Sequence, residues 1–506
     1  MRHDPRAALL TIPLDRSSDR PLYVQIYTGV RDAVLSKRLL PGDRLLSTRD
    51  FAAELDCSRS TVVAAYEQLW AEGYIDGSLG SGTYVSRNIP EELLSVPRRD
   101  GAAQRDDTPY LPVSRRGQRL SGLRSARRLP YGAFTPCVPD AREFPFGTWT
   151  ALFKETWNRP ARDLLEAADP YGHLPLREQI ARYLGTVRAV RCSAEQVIIT
   201  SGAQQAFNIV ATMLLDPGDE VWVEDPGYYG VHSAFIGAGA KVVYLPVDEE
   251  GLSVKAGRQL GGEPRMVVVA PSHQYPLGVV MSLGRRLELL SWARESRSWI
   301  VEDDYDSEFR YGGHPFAALQ GMDDRGCVIY IGTFSKVLFP SMRIGYLVLP
   351  RSLLEPIARA RLVIESYPSI MLQPVLARFM AEGHFATHVR RMRKIYEKRK
   401  AALLDAARRH LPRYFEVADS DCGMHLLMRF TPEAAARLDD QALSARCREH
   451  GLFVPAISEY HSRRAGPRGL VVGYTAVDPD EIEDGIARLA AIAATMAGGA
   501  RRAARS

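Results

Sequence analysis

The residues with the clearest chemistry are Ile331-Gly332-Thr333-Phe334-Ser335-Lys336, with Arg343 following seven residues after the lysine. A lysine amine can form a Schiff base, while flanking hydroxyls and a guanidinium can hold a phosphate. The set suits a bound phosphorylated aldehyde. An ordinary surface lysine before a strand is the plainer reading, so the stretch needs company. Three further sets provide it. Val197 to Gln205 reads as strand, tight turn and helix start, where backbone N–H groups hold an anion without a side chain. Asp225-Pro226-Gly227-Tyr228-Tyr229 offers an aromatic that could stack on a planar ring. Trp299 to Asp306 ends an apolar strand in an acidic cluster, where one carboxylate could keep a pyridine nitrogen protonated and a tyrosine could bond a phenolic oxygen. Singly these are a common turn, a packing tyrosine and a solvated acidic loop or magnesium site. Their occurrence together, in this order, is harder to dismiss.

The elements that must carry them run from about Tyr131 to about residue 498. Strand-like runs at Val197–Thr200, Glu220–Val223, Val242–Leu245, Met266–Ala270, Trp299–Glu302, Val328–Ile331 and Ile344–Leu349 alternate with helical patterns. This alternation predicts an α/β body with a largely parallel sheet, whose ligands bind at the carboxyl ends of the strands. After about Phe379 a charged helix from His388 to Ala407 and later short strands predict a smaller lobe. The Ala/Arg tail after Gly498 is expected to be disordered.

Upstream lies a different pattern. Leu22, Ile26, Val30, Ala33 and Val34 share one helical face, and Pro41-Gly42-Asp43 ends that helix. A second helix starts at Ser47 or Thr48 and exposes Arg49. Ser58 caps a third, Arg59 to Glu72, with Val62, Tyr66 and Leu69 in its core stripe and Arg59, Ser60 and Thr61 at its exposed start. Tyr74–Asp76 and Thr83–Val85 then flank a turn containing Gly80 and Gly82. This order predicts a winged helix-turn-helix. Its third helix would enter the major groove, Arg49 and Arg59 could read bases, and the glycine hairpin could approach the backbone. The alternative is a helical protein-interaction module with a solvated arginine face.

A chain of 506 residues with 46% hydrophobic and 25% charged residues is a multi-domain globular protein by composition. No apolar run reaches the roughly 18 residues of a membrane span. Six cysteines without metal spacing read as reduced thiols in a cytoplasmic protein with no metal site. Residues 1–86 hold ten Lys/Arg against eleven Asp/Glu, whereas 87–130 hold ten against five. The basic excess therefore lies in the aperiodic stretch 89–130, which is expected to be a flexible linker.

Residues 20–88 resemble the GntR family of bacterial regulators. The resemblance rests on Pro41-Gly42-Asp43-Arg44-Leu45, Ser47-Thr48-Arg49, Ser58-Arg59-Ser60-Thr61-Val62 and Gly80-Ser81-Gly82-Thr83-Tyr84-Val85, with Leu46 in place of the usual proline. Residues 131–498 resemble fold-type I aminotransferases with a large and a small lobe, and the pairing of the two marks MocR/GabR-type regulators. Pyridoxal 5'-phosphate is the implied cofactor. The resemblance implies Lys336 as its lysine, Asp303 on the pyridine nitrogen, Tyr305 on the phenolic oxygen and Tyr228 under the ring. Ala203, Gln204, Thr333, Ser335 and Arg343 are implied around the phosphate. It further implies a homodimer in which each head lies across the partner's body, double-stranded operator DNA as partner, and a small-molecule effector, an amino compound or a B6 vitamer.

Two departures weigh against turnover. Tyr275, in Ser272-His273-Gln274-Tyr275-Pro276-Leu277-Gly278, stands where active aminotransferases usually carry an asparagine, and their C-terminal carboxylate-binding arginine falls near Val471. The leading expectation is a regulator that binds pyridoxal phosphate and senses an effector. A working aminotransferase with a fused DNA-binding domain is the second reading, and a cofactor-free dimerisation scaffold, opposed by Lys336, Asp303 and Arg343, is the third.

Overall fold

The computed structural model describes residues 5–78, 82–89, 113–123, 132–166, 169–312, 316–365, 367–462 and 466–503. The chain divides into two units, Met1–Pro112 and Val113–Ser506.

In the first unit, helix Leu22–Leu35 buries Ile26, Tyr27, Val30, Ala33 and Val34, and Leu22 is only half-buried. Helix Thr48–Glu54 is capped by Ser47, whose hydroxyl accepts from the Asp50 N–H at 3.2 Å. Helix Arg59–Ala71 is capped in the same way by Ser58, which accepts from Thr61 N–H at 3.2 Å, and it buries Val62, Ala65, Tyr66 and Leu69. Strands β1 (Ile75–Ser78) and β2 (Gly82–Val85) pair antiparallel. The order of elements is that of a winged helix-turn-helix.

The second unit is built on an eight-stranded sheet. Its strands are β3 (Val197–Thr200), β4 (Glu220–Asp225), β5 (Lys241–Asp248), β6 (Gly251–Leu252), β7 (Met266–Val269), β8 (Trp299–Asp304), β9 (Val328–Thr333) and β10 (Gly345–Val348), in the spatial order β3-β10-β9-β8-β7-β4-β5-β6. β4, β5, β7, β8 and β9 run parallel, with all of the β7 side chains and nearly all of β8 buried, as expected of strands covered on both faces. β10 is antiparallel to both its neighbours, and β6, a short edge strand without a sequence signal, is antiparallel to β5. A three-stranded antiparallel sheet, β11 (Phe415–Val417), β12 (His425–Phe430) and β13 (Gly469–Gly473), forms the smaller lobe with helices His384–His410 and Pro479–Ala503.

Two expectations need correction. Part of the supposed linker is ordered: Ser114 caps a helix, Arg115–Gly122. Its Leu120 lies against Gly237 of helix Tyr229–Ala238, where a Cβ would stand 2.8 Å from Leu120 Cδ2. Its sequence holds one leucine and no apolar stripe to announce a helix. The tail after Gly498 is helical as far as Ala503. Helix Pro479–Ala503 runs through it, because Ile482, Ile486, Leu489, Ala493 and Ala497 keep one buried stripe up to its threshold.

All six cysteines are free, and no helix among the described residues is long and apolar enough to cross a membrane. Removing the cap of the third helix, Ser58→Ala, is expected to destabilise the first unit by about 1 kcal/mol. Denaturant unfolding followed by the fluorescence of Trp70, the tryptophan of that unit, checks this.

Candidate functional site

Sheet register assembles the site. Gly345, the first residue of β10, pairs with Thr200 at the end of β3 and with Thr333 at the end of β9. An antiparallel strand begins where its parallel neighbours finish, so Arg343, two residues before β10, arrives beside the turn after β3. There Gly202 has φ +108°, and a Cβ on it would lie 3.1 Å from Arg343 Nη1. Only glycine combines that backbone with so close a guanidinium. Gly202 also caps helix Ala203–Leu214, which puts Ala203 and Gln204 in its first turn. A guanidinium over a helix N-terminus is an anion seat.

Gln204 Nε2 donates to Gly230 O at 2.9 Å, tying this helix to the start of Tyr229–Ala238, which Tyr228 caps. From β9, the Thr333 hydroxyl accepts from Ser335 N–H at 3.2 Å, and Ser335 Oγ is buried without a partner among the described residues. The partly buried Lys336 follows.

β8 supplies the acids. Asp303 is 8% exposed, and its Oδ1 is buried with no hydrogen-bond partner among the described residues. Burial first, then the charges of Asp304 and Asp306, push its carboxyl up to about 7, with Lys336 opposing. A small cavity beside it is lined by Glu224, Tyr228, His232 and Tyr275. Asp304 is committed elsewhere, accepting from Arg188 Nε at 2.8 Å. Asp306 faces His273 Nδ1 at 2.9 Å, and the same nitrogen lies 3.0 Å from Tyr305 Oη. The structure thus gathers Gly202, Ala203, Gln204, Tyr228, Asp303, Tyr305, Thr333, Ser335, Lys336 and Arg343 at one edge of the sheet.

Sequence reasoning did not single out four other residues there. His273 and Asp306 lie inside stretches noted for other members. Cys137 and His425 had no signal, being 288 residues apart, yet Cys137 Sγ lies 3.5 Å from His425 Nδ1 and His425 Nε2 donates to Pro276 O at 2.9 Å. Cys137, Asp306 and His425 present ligand atoms within 4.8 Å of one another, a grouping invisible to a search for metal spacing. Burial holds the thiol protonated, up to about 12, and pushes the imidazole down to about 3. Sγ–H to Nδ1 and Nε2–H to carbonyl satisfy the pair as neutral groups.

In the first unit, Arg49, Arg59 and Ser60 are exposed and Thr61 is half-buried. Arg59 Nε stands 3.4 Å from Thr48 Oγ1, which brings the starts of the second and third helices together. Ser60 and Thr61 share the Ser58 hydroxyl. Gly82 has φ +100° and a Cβ there would meet Arg44, whereas Gly80 lies outside the described residues.

Comparison with known proteins agrees with this architecture. Residues 141–489 match the family aminotransferase class I and II, and residues 22–85 match the bacterial regulatory proteins of the gntR family. The chain is 40% identical to the probable rhizopine catabolism regulatory protein MocR of Rhizobium meliloti over 94% of each chain. The chain belongs to this family of regulators, a GntR-type head joined to an aminotransferase class I and II body. It is 29% identical over 94% of its length to the pyridoxine biosynthesis transcriptional regulator PdxR of Corynebacterium glutamicum, of which it covers 96%. Its body superimposes with a TM-score of 0.69 on the α-aminoadipate aminotransferase LysN of Thermus thermophilus, solved with N-(5'-phosphopyridoxyl)-L-leucine. That match is 26% identical and covers 76% of this chain and 97% of LysN. The protein is therefore a transcription regulator with an aminotransferase-type fold.

Asp303 gives a pH test. Its folded value is raised from 3.8 to about 7. No penalty exists below 3.8, stability falls as pH rises through the interval, and the loss is complete above about 7. In cofactor-free protein, Asp303→Asn should gain stability over the parent progressively from about pH 4 to about pH 7, by up to about 4 kcal/mol at about 1.4 kcal/mol per pH unit. Paired thermal melts across that range check it.

Proposed function

We propose that the body binds pyridoxal phosphate through Lys336 and that an effector acting there alters the binding of the head to double-stranded operator DNA. The observation that carries this is the convergence on Lys336 of a buried carboxylate oxygen and a buried hydroxyl without a partner among the described residues, Asp303 Oδ1 and Ser335 Oγ, with the Arg343 guanidinium over the Gly202 turn. A buried carboxylate oxygen without a donor is costly unless a ligand brings one. A protonated ring nitrogen is such a donor, and a phosphate suits the Arg343 seat. The residues fit the group.

When bound, the cofactor supplies an aldehyde carbon for amines and an electron-withdrawing ring. The chain's residues do the rest. Asp303 Oδ1 holds the proton at the ring nitrogen. Arg343, Ser335, Thr333 and the N–H groups of Ala203 and Gln204 hold the phosphate, and Tyr228 packs beside the ring. The Asp306 carboxylate can only accept, so the His273 Nδ1 proton lies between it and Tyr305 Oη. That leaves the Tyr305 hydroxyl free to donate to the phenolic oxygen.

Arg49, Arg59, Ser60 and Thr61, with the hairpin carrying Gly80 and Gly82, form the DNA-contacting end. The exposed run Leu362, Val363, Ile364, Tyr367 and Met371, with Val363 87% exposed, supports a homodimer. A swapped arrangement of heads over partner bodies accords with it. The likeness to LysN favours a working aminotransferase as the second reading. Against it stands Val471, fully buried on β13.

Purified protein should carry a visible band that Lys336→Ala abolishes, and borohydride should mark Lys336 in peptide mapping. A label on another lysine would overturn the assignment. Arg49→Ala or Arg59→Ala should weaken operator binding by about 1–3 kcal/mol and relax specificity at one base pair. Titrations against operator variants read this directly.

A further inference from the structure

We infer that the effector pocket beside Lys336 selects amines that carry no carboxylate. The inference rests on the reading of Lys336 as the residue at which amines exchange. That exchange is balanced: a carbon–nitrogen bond to the effector forms as the one to Lys336 Nζ breaks, and one proton passes from the incoming nitrogen to Nζ. No further reactant is needed.

The charges around Lys336 decide the class. Cys137, Asp303, Asp306 and His425 lie within electrostatic reach of Lys336. Two of the four are buried acids, and the other two are the neutral thiol–imidazole pair. None offers positive charge to an incoming anion. The anion seat at Gly202 and Arg343 is spoken for by the phosphate.

The wall formed with the smaller lobe is apolar. Val471 packs with Leu427, Ile457 and Tyr460 from that lobe and with Tyr229, Tyr275 and Leu277 from the larger one. Tyr275 and Tyr460 spend their hydroxyls on each other at 2.8 Å, and Tyr460 stacks on Tyr229 with ring centroids 5.0 Å apart. Tyr275 in turn stands edge-on to Tyr228 and Tyr305, each at 6.2 Å between centroids, which places this wall against the ring site.

Two buried guanidiniums are committed to other partners. Arg188 binds Asp304, Ser272 and Phe316 O, and Arg399 binds Asp140, Asp478 and Thr475 O. A carboxylate entering this space would be desolvated beside two buried acids and against an apolar wall. Apolar or hydroxyl-bearing substituents carry no charge and meet no such penalty.

The test uses the full-length, cofactor-loaded protein and matched ligand pairs at equal free-base concentration: ethanolamine with serine, and benzylamine with phenylglycine. Two readouts are followed, displacement of the visible band and fluorescence anisotropy of labelled operator DNA. The carboxylate-free member should act at a concentration at least about 100-fold lower, the loss expected when a buried charge lacks its partner. Val471→Arg should narrow that ratio at least about 10-fold by improving the response to serine and phenylglycine. If that variant does not fold, the pairs on the parent protein decide alone.

Equal or stronger responses to the amino acids in the parent would overturn the inference while leaving the Lys336 reading intact. Their loss in Arg463→Ala or Arg464→Ala would then identify the clamp. Absence of the visible band itself would instead overturn the Lys336 reading, and this inference with it.

Discussion

The body depends on one reversed strand. β10 enters the sheet antiparallel between β3 and β9, so its first residue meets the last residues of both. That single register brings the Arg343 guanidinium to the Gly202 turn, within the same edge as Thr333, Ser335 and Lys336. A parallel β10 would send Arg343 to the opposite edge of the sheet, and the anion seat would not exist. Gly345 shows how tight the fit is, since a Cβ there would lie 2.8 Å from Gly202 Cα. Backbone packing, more than any side-chain contact, fixes where the Arg343 guanidinium stands.

A second constraint is electrostatic. Glu224, Glu302, Asp303 and Asp306 are buried near one another, and burial raises each carboxyl. Most have local satisfaction: Glu302 accepts from the N–H groups of Leu319 and Gln320, and Asp306 pairs with His273. Asp303 Oδ1 has no such donor among the described residues. A group left unsatisfied among satisfied neighbours is where the fold holds capacity for a ligand's proton, and the position of that group at the end of β8 gives the ligand its orientation.

The same accounting separates a sensor from a catalyst. Holding a ring, a phosphate and an amine needs the edge described above. Turnover needs in addition a fixed grip on the substrate, because orientation contributes several kcal/mol to a barrier. Val471, Leu427, Ile457 and the Tyr275–Tyr460 pair form a wall with no such grip. On the reading proposed above, an amine held without that grip suits a protein whose output is a change in DNA binding.

Much was readable without coordinates, for reasons of range. Ser58 as a cap, the helix behind it and the alternation of strands and helices are local patterns of spacing. The strand-end groups Asp303, Tyr305 and Lys336 sat in short motifs whose chemistry depends on neighbours a few residues away. Long-range pairing was not readable from spacing. Cys137 meets His425 only because chain crossings bring them together; that Arg343 meets the Gly202 turn was implied by the family resemblance, and the reversal of β10 is the physical reason. The helix Arg115–Gly122 gives no signal because its sequence holds one leucine and no apolar stripe, and the continuation of Pro479–Ala503 gives none because a composition rich in alanine and arginine resembles an unstructured tail. Sequence by itself determined which chemistry was available and on which elements it rode. Tertiary structure decided which groups face one another and which are buried without a partner, since desolvation and register exist only once the chain is packed.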